Sequence, residues 1–373
     1  MAYGSLAIDQ ITNSVTGSSL GAGNASIMKN RIINGAMVIN QRGFSGSVDN
    51  SNPFTFDRWR AFSINSSKYS VSQNAGSVTP PVGFVNYLGV TSLAATSSGA
   101  TDFYGLAQPI EGFNTADLAW GTANAKTITL SFWVYSSLTG TFAGSLLNSA
   151  ALRSYPFTYS ISSANTWQQI SVTVAGDTTG TWATGNTTGI LLVFNLGYGS
   201  TYSGTANTWQ AGGYYNATGS TSIVATNGAT WYVTGVQLEV GSSATGFEYR
   251  QYGQELALCQ RYLPVTTTLT DTTVGSVGDG FIYNASNINC TTPFMVAPRA
   301  APTGISVTGA TYCIVNHPAG NGTVTGATYG GASLTTGLIN WTATGVTNGQ
   351  PCRILNTGTN TQTTKILWTG SEL

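Results

Sequence analysis

Thr127-Ile128-Thr129-Leu130-Ser131-Phe132-Trp133-Val134-Tyr135 alternates along its whole length: Ile128, Leu130, Phe132 and Val134 fall on one face and Thr129, Ser131, Trp133 and Tyr135 on the other. A period of two is that of an extended strand with one face against a core. Residues 167–174 repeat it, with Ile170, Val172 and Val174 inward. Residues 190–196 are apolar in both phases, Ile190, Leu192, Phe194 and Leu196 opposite Leu191 and Val193, which predicts a central strand covered on both faces. In residues 231–240 the phase changes, because Trp231 and Val233 belong to one register and Val236, Leu238 and Val240 to the other. A β-bulge at Thr234-Gly235 absorbs the extra residue. Turn clusters such as Gly176-Asp177-Thr178-Thr179-Gly180 separate the strands, and the spacing predicts a two-sheet sandwich of the jelly-roll kind.

Composition agrees with that reading. Of 373 residues 46 are Gly, and 13 basic against 13 acidic residues make only 7% of the chain charged, beside 41% apolar. A soluble domain is ordinarily about a quarter charged, so Ser, Thr, Asn, Gln and Gly must build this surface. Scarce Lys and Glu disfavour helix. One helix is predicted, Gln251 to Leu263, with Leu256, Cys259, Tyr262 and Leu263 on one stripe and Pro264 as its stop. The fold class expected is all-β: a jelly-roll β-sandwich, a short connector helix and a smaller C-terminal β-sandwich. The divisions expected are an N-terminal arm (1–30), the jelly roll (31–250), the connector (251–264) and the C-terminal β domain (265–373). Glu248, Arg250, Glu255 and Arg261 gather at the connector, where ion pairs fixing one domain on the next are expected.

The same counts exclude several functions. Zero net charge and four Lys leave no basic stripe for phosphates, so neither nucleic acid nor an anionic membrane is an expected partner. No apolar stretch approaches the roughly 18 to 20 residues of a membrane-spanning helix. Residues 1–20 contain no Lys or Arg and no continuous apolar core, so no secretory signal is expected. Cys259, Cys290, Cys313 and Cys352 fit no zinc spacing and are read as reduced, mostly buried thiols, with disulfide pairing left open.

Catalysis finds little to work with. His317 stands beside Pro318 and Gly320 in a turn, and a structural or solvated role is expected for it. Asp57, Asp102, Glu111, Asp117 and Asp177 could supply a pair for glycoside cleavage, but most adjoin turn residues, where Asp usually serves the backbone. No enzyme, cofactor or metal centre is expected; a structural Ca2+ on loop carboxylates stays open. Sugar binding has the better signal, since uncharged rings stack on aromatic faces and bond to amides and hydroxyls. The candidates are Trp182, Tyr198, Tyr202, Trp209, Tyr214 and Tyr215, all in Gly-rich stretches, and the alternative for them is core or subunit-interface packing. For Trp59, Trp133, Trp167 and Trp231, within strand patterns, packing is the preferred reading. Ala-Asn-Thr-Trp-Gln occurs twice, at 164–168 and 206–210, which suggests two strands entered through one turn chemistry.

Several segments together resemble a family of bacteriophage tail-fibre and minor tail proteins. They are Asn30-Arg31-Ile32-Ile33-Asn34-Gly35-Ala36-Met37, Asn40-Gln41-Arg42-Gly43, Phe56-Asp57-Arg58-Trp59, Gln108-Pro109-Ile110-Glu111-Gly112 and Leu130-Ser131-Phe132-Trp133-Val134. More specific are Thr234-Gly235-Val236-Gln237-Leu238-Glu239-Val240-Gly241, Phe247-Glu248-Tyr249-Arg250 and Cys259-Gln260-Arg261-Tyr262, with Ala297-Pro298-Arg299 and Ser371-Glu372-Leu373 further on. The resemblance covers roughly residues 30–373. It implies a jelly roll like that of carbohydrate-binding modules, no catalytic residues, and a structural virion component in host recognition, usually a homotrimer. The expected partners are further copies of the chain, other virion proteins held through the arm by Leu6, Ile8 and Ile11, and a host surface glycan. The expected location is the virion, after synthesis in the host cytoplasm. Capsid decoration, as a head fibre, and polysaccharide depolymerisation are the competing roles.

Overall fold

The strand Ile128–Ser136 lies where its alternation puts it, between Thr230–Val240 and Gln168–Val174 in an antiparallel sheet. A computed structural model of the chain describes residues 28–267, 275–356 and 363–373. The first sheet has six strands in the order Ser45–Ser47, Tyr69–Gln73, Leu88–Ser92, Thr230–Val240, Ile128–Ser136, Gln168–Val174. The second has seven, Gln210–Ala211, Arg153–Ile161, Gly140–Asn148, Thr188–Asn195, Tyr104–Glu111, Trp59–Ser63 and Phe54–Phe56. Their inner faces share one apolar core that includes Trp59, Leu130, Phe132, Leu192, Phe194 and Trp231. Thr188–Asn195 is central, as its double apolar pattern requires: Leu192 and Phe194 enter that core while Val193 joins Ala107 and Leu147 on the outer face. In Thr230–Val240 the pairing slips between Thr234 and Gln237, and Gly235 takes φ 61° there. The bulge turns Val236 and Leu238 into the core beside Trp231 and Val233.

Residues 30–39 precede the first strand, Ser45–Ser47. They are largely buried without belonging to a sheet, and side-chain amides stand in for ladder partners. The Gln108 amide accepts from Ile33 N–H and donates to Ile33 C=O, both at 2.9 Å. Asn30 Oδ1 accepts from Ile32 N–H and Leu238 N–H, and Nδ2 donates to Val236 C=O at 3.1 Å. Asn34 Nδ2 reaches the carbonyls of Ile39 and Asp57.

The repeated pentapeptide builds two matching turns. Asn165 and Asn207 have φ 55° and 59°. Gln168 accepts from Ser162 N–H and donates to Ser163 C=O, while Gln210 accepts from Thr205 N–H and donates to Thr205 C=O. The indoles tie back to distant carbonyls, Trp167 to Thr79 at 2.8 Å and Trp209 to Ala175 at 2.7 Å.

The helix Tyr252–Gln260 buries Cys259 beside Tyr262, Ile33 and Ile39. Beyond it the chain is again β. The all-β class with one short helix holds, but the C-terminal part, expected as a sandwich, closes into a ring. Strands Gly275–Ile282, Asn287–Pro293, Thr336–Thr344, Gly320–Ala332, Cys313–His317 and Pro351–Asn356 hydrogen-bond round a barrel, and Val265–Thr267, Lys365–Thr369 and Gly304–Thr308 form a separate sheet. Trp341, Trp368, Ile288 and Ile354 fill this second core. All four cysteines are buried and free, and burial pushes their thiols up.

A polar cluster joins helix, jelly roll and C-terminal part. Glu111, 1% exposed, accepts from Arg261 Nε at 3.0 Å, Arg261 Nη2 at 2.6 Å and the Tyr262 hydroxyl at 2.6 Å. The buried Arg58 guanidinium lies 3.5 Å from the centre of the Tyr262 ring and donates to Pro109 C=O. Among the described residues its Nε and Nη1 have no acceptor, and the ring's negative face takes that place. Arg42 pairs with Glu372, Lys365 donates to Gln41 C=O and Arg299 to the carbonyls of Ser371 and Asn186.

Burial alone would raise the Glu111 carboxyl, but the bonds from Arg261 and Tyr262, with the charges of Arg261 and Arg299, hold it below the ordinary 4.5. A carboxyl depressed by folding contributes stability above its unfolded value, and loses it as pH falls through its folded one. Asp57 and Glu372 run the other way, because burial raises both. A comparison of wild type with Glu111→Gln isolates the one group. The variant should be about 3 kcal/mol less stable at pH 7 by urea unfolding, with the gap narrowing toward about pH 3. A gap that stays constant over that range would contradict this account.

Candidate functional site

The strand Trp59–Ser63 alternates buried and half-buried residues, which sends Arg60 and Phe62 to the outer face of the seven-stranded sheet. On this face the loop after Thr188–Asn195 folds back over Ala107, Leu147 and Val193. Backbone bonds hold the loop: Gly199 N–H to Asp102 C=O at 2.8 Å, Thr201 N–H to Ala100 C=O at 3.0 Å, and Tyr215 N–H to Tyr202 C=O at 2.9 Å. Asn195 Oδ1 accepts from Tyr198 N–H at 3.0 Å.

Three of the predicted aromatics meet there. Tyr198 and Tyr215 stack at 5.6 Å with 3° between their planes, and Tyr202 stands edge-on to them at 6.2 and 5.8 Å. Phe103 meets Tyr202 edge-on at 6.1 Å. With Phe62 and Asn52 these rings line a cavity of about 180 Å³. Gly105 makes the room, since a Cβ there would stand 2.8 Å from the Tyr198 ring and 2.9 Å from Phe194 C=O. Among the described residues no protein group bonds the hydroxyls of Tyr198, Tyr202 or Tyr215, whereas the buried Tyr69 hydroxyl donates to Phe62 and Gly105 carbonyls. Burial pushes the Tyr198 and Tyr215 phenols up, so both stay protonated and able to donate. Asn52 commits its Oδ1 to Ser63 N–H at 2.7 Å and its backbone carbonyl to Arg60 Nε at 2.8 Å. The site therefore offers aromatic faces and phenolic donors over an apolar floor.

Trp182 and Trp209 lie in a different cluster. With Trp120 they make edge-to-face pairs at 4.8, 5.2 and 5.5 Å, and Tyr155 adds another to Trp209 at 5.1 Å. Every indole N–H is spent internally: Trp209 on Ala175 C=O, Trp120 on Lys126 C=O at 2.8 Å, and Trp182 on Thr179 C=O and Asp177 at 3.3 Å. Arg153 grips Asp177 with two bonds of 2.8 and 2.6 Å. Burial would raise Asp177, but those bonds, with Thr179 N–H and hydroxyl, outweigh it and hold the carboxyl down. A second cavity, of about 200 Å³, lies against Trp120 and Trp182, but this cluster is built as packing on the main core. Tyr214 joins neither group; its ring lies beside Gly204 and Gly212. Leu6, Ile8 and Ile11 lie outside the described residues.

Trp59 and Trp231 are fully buried, while Trp133 and Trp167 are half-buried. Trp167 packs with Tyr87 and Tyr135, and Tyr232 stacks on both tyrosines. Of the other candidates, His317 ends a strand rather than sitting in the turn and bonds Gln350 at 2.8 Å. Asp57, Asp102, Glu111, Asp117 and Asp177 are each bonded within the chain. Among the described residues no group of His, Cys, Asp and Glu could hold a metal ion. Asn52, Phe62 and Phe103 are the lining residues that sequence reasoning missed; an aromatic in the outward phase of Trp59–Ser63 is the signal for Phe62.

The two clusters should respond differently to truncation. Trp209→Ala, which removes three ring contacts and the Ala175 bond, should lower stability by about 2–3 kcal/mol. Tyr202→Ala, which also loses three ring contacts but no hydrogen bond among the described residues, should lower it by only about 1 kcal/mol. Denaturant midpoints of the two variants check this, and equal losses would erase the distinction.

No protein-family model matches the chain, and no curated protein matches it in sequence. Solved structures match between half and three fifths of the chain. The enzymatically active domain of tailspike protein 4 of bacteriophage CBA120 is 12% identical, with a TM-score of 0.31, and the match covers 57% of this chain and 21% of that one. The xylan-binding domain from Paenibacillus barcinonensis is 15% identical with a TM-score of 0.27, covering 52% of this chain and 98% of that one. A family 11 carbohydrate-binding module from Clostridium thermocellum, in complex with a mixed-linked tetrasaccharide, is 13% identical with a TM-score of 0.26, covering 54% and 98%.

Proposed function

We propose that the chain is a non-catalytic component of a bacteriophage virion, a tail fibre or tail appendage acting in adsorption, and that the cavity of Tyr198, Tyr202 and Tyr215 receives a sugar ring of the host surface. The observation that carries the binding role is a cavity of aromatic rings on a loop held by backbone bonds, whose phenolic hydroxyls have no protein partner among the described residues. A pyranose presents C–H faces to stack on such rings and hydroxyls to satisfy them. The virion role rests on the sequence motifs spread over residues 30–373. Homotrimer assembly is part of the proposal, because edge strands such as Gln168–Val174 carry no Lys or Glu of the kind that guards a free edge. Other virion proteins are its remaining partners, and the virion is its location.

Titration of host surface polysaccharide into the purified protein should give saturable heat, and Tyr202→Ala should weaken binding at least tenfold. Unchanged binding by Tyr202→Ala would move the site elsewhere. Labelled particles imaged by electron microscopy should carry the protein on the tail; label on the head would make it a decoration protein, and release of reducing ends from host glycan would make it a depolymerase. A protein that is monomeric by light scattering and missing from purified particles would end the virion proposal.

A further inference from the structure

The chain holds few charges and spends nearly all its guanidinium groups internally. Arg31, Arg42, Arg153, Arg250, Arg261 and Arg353 are ion-paired, and Arg58 and Arg299 donate to backbone carbonyls. Arg60 differs. It gives Nε to Asn52 C=O at 2.8 Å, and among the described residues neither Nη has an acceptor and no carboxylate lies within ion-pair distance. Glu372, whose charge it feels, pairs through Oε2 with Arg42 and lies beyond ion-pair distance of Arg60; its Oε1 has no partner among the described residues. The guanidinium lies 4.9 Å from the centre of the Phe62 ring, so it touches two residues that line the tyrosine cavity, Phe62 and Asn52.

The Phe62 ring and the Nε bond hold the group, and among the described residues the edge that carries its two Nη groups has no acceptor. That edge is a planar pair of donors, which matches a carboxylate better than a hydroxyl. We infer that the cavity takes a carboxylate-bearing sugar, a hexuronic or nonulosonic acid residue, with its ring among Tyr198, Tyr202 and Tyr215 and its carboxylate on Arg60. This rests on the glycan-binding reading above and adds the charge of the ligand to it. A neutral surface with one uncommitted cation at the cavity edge gives selectivity without general attraction to polyanions.

The test pairs acidic oligosaccharides containing glucuronate, galacturonate or N-acetylneuraminate with their carboxyl-reduced counterparts, titrated into wild type, Arg60→Gln and Tyr202→Ala. Cooperative thermal unfolding transitions confirm that the variants fold. At least one acidic oligosaccharide should bind wild type about tenfold more tightly than its reduced form, a preference weakened by salt and lost in Arg60→Gln. Tyr202→Ala should lose both members of the pair. Equal binding of acidic and reduced forms, or an acid preference that survives in Arg60→Gln, would overturn the inference while leaving the sugar site standing. If no oligosaccharide in either form binds wild type, the glycan-binding reading falls and this one with it.

Discussion

The carboxylate of Glu111 is the acceptor around which the two β parts are organised. It ends a strand of the jelly roll and receives two residues, Arg261 and Tyr262, that follow the helix. Tyr262 in turn covers the Arg58 guanidinium with its ring, so one buried anion sets the position of a buried cation it does not touch. The arrangement also fixes where the chain leaves for the barrel, because Arg299 N–H donates to Arg261 C=O and Trp368 N–H to Pro264 C=O. A buried group of this kind is costly when half-satisfied, which favours a single relative placement of the two cores over any sliding alternative.

Segments that are far apart in sequence converge on this cluster. Residues 30–39 are held by Gln108, Asn30 and Asn34, and Arg250 donates to the carbonyl of Ile32 and to Glu255. The amide-rich composition has a structural use here. Asn and Gln carry a donor and an acceptor on one planar group, so they can imitate a strand partner for a segment that has none, without the desolvation cost of a charge.

Much of the fold was legible from periodicity. The alternation in 128–135, the double apolar run in 190–196 and the phase change at Gly235 all depend on a buried face, and burial writes itself into composition residue by residue. The sandwich could be read for that reason. Closure of the C-terminal strands into a barrel could not, since it depends on which edges pair, as Pro351–Asn356 does with Gly275–Ile282, and alternation is the same in either case. The irregular stretch 30–39 hid because its partners are side chains 75 and more than 200 residues away, the Gln108 amide and the Glu248 and Glu255 carboxylates. At the candidate site, aromatics among glycines marked Tyr198, Tyr202 and Tyr215, which line one cavity, and equally Trp182 and Trp209, which pack against the main core. What separates them is where the polar hydrogen of each ring goes, and no local pattern encodes that.

The duplicated Ala-Asn-Thr-Trp-Gln turn is a small unit of grammar. Each copy closes on itself, with a left-handed Asn bending the chain and a Gln amide sealing the loop, so the indole's direction is decided within five residues. Only the indole N–H reaches out, and its target differs between the copies. A module of this kind can be moved along a strand sequence and still deliver a tryptophan to a strand's entrance, which makes it a portable clasp for joining a new loop to an existing sandwich.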